Sequence, residues 1–237
     1  MYFSLITPIP GLERNAAHEW LDGSYGEHQW LWRFFPAPPG TARDFVFRRQ
    51  DVEGLPRFYV VSQRRPASVT GAWEVQSRDY RPQIPAGSHL RFELRANPVI
   101  SRSSGGGAKR HDVVMDAKLR LLAARGLPNW EAWRPDRTTV DGLPDPRPPL
   151  YELVHQTCAD WLSRRAVRHG FSLDESSVNA AAYQQHLGKH GHLHFSTVDL
   201  AGELTVTDSG LFAAALVTGI GRAKAFGCGL LLVRRVS

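Results

Sequence analysis

The chain has 237 residues, 42% of them hydrophobic and 22% charged, with a formal net charge of +6. That composition is enough for one large or two small folded domains and excludes a mostly disordered chain. No apolar run approaches the ~20 residues that cross a bilayer. The two cysteines, Cys158 and Cys228, have no metal or redox spacing, which suits a reducing cytoplasm. The charge is uneven: residues 1–88 carry 10 Lys and Arg against 9 Asp and Glu, residues 89–237 carry 19 against 14. A basic second half fits a polyanionic partner, because phosphates attract Lys and Arg at long range.

Residues 2–7 begin an apolar run without a basic leader or a cleavage site, and predict a first strand rather than a signal peptide. A helix is expected over 24–35, then strands over 44–49 and 57–62, parted by the turn residues of 54–56. A short link through Trp73 and an Arg/Pro-rich stretch lead to Pro85. This order is βαββ, most of a ferredoxin-like unit.

The second part opens on residues 89–96, where Leu90, Phe92, Leu94 and Ala96 alternate with His89, Arg91, Glu93 and Arg95. A period of two marks a half-buried strand, and Asn97-Pro98 ends it. A Gly/Ser segment around Gly105 to Gly107 reads as flexible. Helical spacing covers 116–125 and 154–167. Residues 134–149 are proline-rich and read as an exposed insertion. Strands are expected over 177–183 and 192–200, with Gly188 and Gly191 at the turn between them. Asp208 caps a helix over 211–218, and 229–235 form the last strand. The fold class is therefore α+β: two tandem ferredoxin-like (βαββαβ) domains, over 1–88 and 89–237.

Four groups of residues could carry chemistry. Ser24-Tyr25-Gly26-Glu27-His28 reads as a capping box opening the first helix. Tyr25 and His28, three residues apart, then share one helix face in the anion-attracting first turn, where the dipole favours a neutral imidazole. The bland alternative is a half-buried tyrosine and a surface histidine. The second group is the run from Gly219 to Gly229, where Gly219, Gly221, Gly227 and Gly229 frame Arg222 and Lys224. Glycines let a backbone approach a phosphate, or simply make a tight turn. The run is neither a Walker loop nor a dinucleotide fingerprint, and no cofactor is expected. Third, no acid interrupts Arg95, Arg102, Lys109, Arg110 and His111, which suits contact with an RNA backbone or a solvated loop. Fourth, His186, His190, His192 and His194 could bind a metal, although no carboxylate or thiolate lies near them in sequence. A basic strand or plain surface is the simpler reading. Trp30, Trp32, Trp130 and Trp133 read as core or interface.

Several of these segments together resemble the CasE endoribonucleases of type I-E CRISPR systems. The start Met1-Tyr2-Phe3-Ser4-Leu5-Ile6 is similar to that family's first strand. Tyr25 and His28, followed by Gln29-Trp30-Leu31, resemble its active-site helix. Ala42-Arg43-Asp44-Phe45-Val46-Phe47, Leu94-Arg95-Ala96-Asn97-Pro98 and the glycine-rich stretch from Gly219 to Leu231 resemble further motifs in the same order. The Gly105 to Gly107 loop and residues 134–149 match no family pattern. The resemblance implies two tandem ferredoxin-like domains and metal-free cleavage at the 3′ base of a repeat hairpin. It also implies a processed guide that stays bound in the Cascade complex with the other Cascade subunits. His28 would serve proton transfer, Tyr25 would orient or donate, and Lys224 would offset phosphorane charge. The acid and the base remain open. The runner-up is a non-catalytic RNA-binding subunit of the same complex.

Overall fold

The computed structural model describes residues 1–20, 24–104, 107–124, 126–128, 139–140, 143–144, 150–187 and 194–236. The first half runs β1 (Tyr2–Pro8), α1 (Glu13–Glu19), α2 (Ser24–Leu31), a 3-10 turn (Trp32–Phe34), β2 (Phe45–Val52), β3 (Leu55–Ser62), β4 (Val69–Thr70) and β5 (Trp73–Asp79). Among the described residues these strands form one five-stranded sheet in the order β2-β3-β1-β5-β4, with every pairing antiparallel. The link expected through Trp73 is thus a strand. Tyr2 pairs with Asp79 and Pro8 with Trp73, and β5 takes the place of the fourth ferredoxin strand beside β1.

Both faces of β2 are covered, which is why Phe45, Val46, Phe47 and Arg48 are all buried rather than alternating. Phe45 and Phe47 face Trp30, Leu31, Phe34 and Phe35 from α2 and the turn after it. Val46 faces the other way, to a cluster with Val61 and Leu230 of the second half. Each fully buried aromatic here contributes roughly 2–3 kcal/mol by removing apolar surface from water. The expected helix over 24–35 is real but shorter, tightening to a 3-10 turn at Trp32.

The second half runs β6 (His89–Ala96), β7 (Val99–Ser104), β8 (Gly107–Asp112), α3 (Val113–Ala123), β9 (Thr139–Val140), β10 (Leu143–Pro144), α4 (Leu150–Ala166), a 3-10 turn (Val167–His169), β11 (Phe171–Leu173), β12 (Asn179–Leu187), β13 (His194–Val206), α5 (Ser209–Thr218), a 3-10 turn (Lys224–Phe226) and β14 (Leu231–Arg235). Its main sheet is ordered β11-β13-β6-β14, with β12 also paired to β13. That is the ferredoxin order again, so the molecule is two tandem ferredoxin-like units. The alternation in β6 holds: Leu90, Phe92, Leu94 and Ala96 are buried, while His89, Arg91 and Glu93 are exposed. Asp208 caps α5, its carboxylate accepting from the Leu211 N–H at 2.8 Å.

The Gly/Ser segment is flanked by two paired strands: β7 and β8 form a hairpin with Val99 opposite Asp112 and Arg102 opposite Lys109, while Gly105 and Gly106, where flexibility was expected, lie outside the described residues. Polar anchors hold the base of the hairpin. Asp112 accepts from Tyr183 Oη at 2.9 Å, from the Ser196 hydroxyl, and from the Met115 N–H as the cap of α3. The Trp161 indole donates to the Val99 carbonyl at 3.0 Å. The proline-rich stretch 134–149 lies outside the described residues apart from β9 and β10, which pair with each other. Among the described residues no helix is long and apolar enough to cross a membrane.

Candidate active site at the seam of the two units

Helix α2 lies against the 3-10 turn of the glycine-rich loop, so the first unit's helix meets the second unit's loop. The loop begins where α5 ends at Gly219, with φ of +74°. From there it folds back on itself: the Ile220 N–H donates to the Gly229 carbonyl and the Gly229 N–H to the Arg95 carbonyl, both at 2.8 Å. A Cβ at Gly219 would stand 2.9 Å from the Gly229 carbonyl oxygen, and one at Gly229 2.9 Å from that of Ile220. Only glycine permits these approaches with positive φ. The loop is a wedge, with Gly227 against Phe47 of the first unit and Gly221 against Trp161 of the second. The four glycines serve this packing, and the wedge sets Lys224 at the seam.

His28 is half-buried. Its ring lies 6.4 Å from Trp32, edge to face, and 6.4 Å from Phe226. Phe226 stacks on Phe195 at 4.9 Å, and Phe195 on His186 at 4.6 Å. Trp32 packs on Phe45 at 5.3 Å, and the Arg43 guanidinium sits 6.0 Å above that ring. The seam therefore has an aromatic floor carrying three basic groups: His28, Arg43 and Lys224.

Burial lowers the His28 pKa, and the Arg43 charge lowers it further. Lys224 is depressed by the same two causes in the same order. His28 is the fifth residue of α2, beyond its first turn. Its neutrality at physiological pH thus comes from burial and Arg43, where the sequence suggested the helix dipole. His28 Nδ1 is buried without a hydrogen-bond partner. The helix also carries Tyr25 three positions before His28; the side chains of Ser24 and Tyr25 lie outside the described residues. The Glu27 carboxylate of the expected capping box accepts from Arg49 Nη1 at 2.9 Å.

The other expected contacts divide. Arg95 grips Asp199 with both arms of its fork, at 2.9 and 2.8 Å, across the β6–β13 pairing. Arg102 grips Asp116 likewise, at 2.9 and 2.6 Å. Both guanidiniums are therefore held by carboxylates, and both stay partly exposed. Lys109 and Arg110 on β8, and Arg222 on the glycine loop, are exposed and form no ion pair among the described residues. His186 is half-buried, bonds Thr197 Oγ1 at 2.9 Å and stacks on Phe195. His190 and His192, with the His194 side chain, lie outside the described residues, so the metal reading of that cluster is untouched. Sequence reasoning did not single out Arg43 or Phe226 as site residues, although both lie within motifs that carry the resemblance; the packing of both around His28 is what brings them to the site.

Fold and seam together define a two-unit ferredoxin-like protein with a cationic, aromatic-floored site between its units. The chain belongs to the family described as CRISPR associated protein, whose family model matches residues 1–235. It is 28% identical over 219 residues to the CRISPR system Cascade subunit CasE of Escherichia coli strain K12, spanning 91% of this chain and 94% of that one. Among solved structures it resembles Thermus thermophilus Cse3 bound to an RNA representing a pre-cleavage complex, with a TM-score of 0.67, 22% identity and 98% of each chain covered. It also resembles Cas6e from Escherichia coli K-12, with a TM-score of 0.58, 22% identity and all of each chain covered.

Proposed function

We propose that this protein is a metal-independent endoribonuclease that cuts CRISPR precursor RNA at the 3′ base of its repeat hairpin. On this reading it stays bound to the mature guide RNA and joins other Cascade subunits in the cytoplasm. Its working units are residues 1–88 and 89–237. The observation that carries the reading is His28: a half-buried imidazole, held neutral, packed on Phe226 of the loop that carries Lys224, with Arg43 near both.

The ribose 2′-hydroxyl attacks the adjacent 3′-phosphate, and the bond from phosphorus to the 5′-oxygen breaks. The products are a 2′,3′-cyclic phosphate and a 5′-hydroxyl. An imidazole kept neutral by its surroundings is suited to take the 2′ proton. The Lys224 ammonium offsets the charge that grows on the phosphorane, and the low polarity of the aromatic floor strengthens that interaction. Tyr25 orients the nucleophile or supplies the proton to the leaving oxygen. Lys109, Arg110 and Arg222 are the exposed cations that follow the RNA backbone. Arg95 and Arg102, held in place by carboxylates and still partly exposed, are fixed cations for the same backbone.

Labelled repeat hairpin RNA incubated with the protein in EDTA tests the reading. Full cleavage to a 2′,3′-cyclic end is expected, with none when the nucleotide before the cut is 2′-deoxy. Binding without cleavage would instead favour a non-catalytic RNA-binding subunit. An absolute requirement for divalent metal would revive the histidine cluster.

A further inference from the structure

Arg43 differs from most other arginines near the seam. Arg49 pairs with Glu27, Arg64 with Asp44, and Arg95 with Asp199, all at 2.9 Å or less. Arg43 is half-buried and forms no ion pair among the described residues, although Asp44 is next to it in the chain. Its Nη1 is buried without a hydrogen-bond partner. Arg43 shares the Trp32–Phe45 floor with His28 and lies close enough to lower the pKa of both His28 and Lys224. Glu27, the carboxylate next to His28 in α2, is engaged by Arg49. A guanidinium that loses hydration without gaining a carboxylate raises the free energy of the empty protein. An incoming anion would lower it again.

We propose that Arg43 binds the phosphate of the scissile linkage, its fork taking a nonbridging oxygen while Lys224 faces the same group from the loop. This rests on the ribonuclease reading and adds a residue to it. Guanidinium is suited to the role because its planar fork matches phosphate geometry and it stays charged beside another cation. Its attraction grows as the phosphate passes from one negative charge toward two, so it contributes more to the rate than to binding.

The test is single-turnover cleavage of repeat hairpin RNA by wild type, Arg43→Ala and Arg43→Gln, with Kd measured on a 2′-deoxy-blocked RNA. Arg43→Gln keeps the side-chain stem over Phe45 and is the variant to read if the alanine form does not fold. A loss of about 10²-fold in rate is expected for either variant, with Kd changed less than about fivefold. The rising limb of the pH–rate profile should also move to higher pH, because the charge that disfavours protonated His28 is gone. A merely structural role would leave that limb in place. Wild-type rate and an unmoved limb in the variants would overturn the assignment of Arg43. Failure of the wild-type protein to cut the RNA would overturn the ribonuclease reading instead.

Discussion

Glu27 and His28 are neighbours in one helix and both face cations, but the cations around Glu27 belong to a network with carboxylates, whereas Arg43 beside His28 forms no ion pair among the described residues. Glu27 meets Arg49, with Arg95 near enough to be felt. Arg95 in turn grips Asp199, and buried Arg48 lies 3.5 Å from Glu93 and 3.9 Å from Asp199. Arg43 lies near both His28 and Lys224, and among the described residues no carboxylate offsets the charge on either. Of the paired cations, Arg48 reaches from the first unit to carboxylates of the second, while Arg49 and Arg95 are held within their own units. Basic groups without carboxylate partners are available to a phosphate.

Substitutions on the two sides should therefore fail differently. Lys224→Met is expected to cost about 10²-fold in single-turnover cleavage. Its Tm should equal or exceed that of wild type, since a depressed amine pKa means that folding disfavours the charged form. A variant that loses Tm while cleaving normally would break the comparison. Asp199→Ala should do the reverse: it leaves Arg95 and Arg48 facing less negative charge and costs about 2 kcal/mol of stability, read by chemical denaturation, with folded protein still cutting. Smaller effects are expected on the β7–β8 hairpin. Lys109→Ala should weaken RNA binding about three- to tenfold and reduce the slope of log K against log salt by about one. Arg102→Ala, which removes a guanidinium already held by Asp116, should change RNA affinity less than Lys109→Ala does.

Sequence made much of this visible where the signal was local. The alternation from Leu90 to Ala96 and the Asp208 cap are short-range patterns, and the strand and the capped helix stand where they pointed; His28 lies on α2 as expected, but past its first turn. The β7–β8 hairpin was hidden because its glycines and serines resemble a linker, while the side chains that anchor it, Tyr183 and Ser196, lie 71 and 84 residues from Asp112. β5 was hidden because Trp73 to Asp79 is mixed in polarity, and only pairing with β1 makes it a strand. The roles of the arginines were the least legible. Arg95 and Arg43 look alike in a basic sequence; what separates them is Asp199, 104 residues along the chain from Arg95, while among the described residues no carboxylate pairs with Arg43.

The account rests on an imidazole at the seam that accepts a proton while neutral. The direct test is His28→Ala in single-turnover cleavage across pH, alongside wild type. Burial and Arg43 place the His28 pKa below its ordinary value near ~6.5. The wild-type rate should therefore climb with pH through a midpoint under that value and then level off. The variant should be slower by about 10²- to 10⁴-fold, lack that limb, and bind 2′-deoxy-blocked RNA as tightly as wild type. Cleavage by His28→Ala at the wild-type rate would contradict the account.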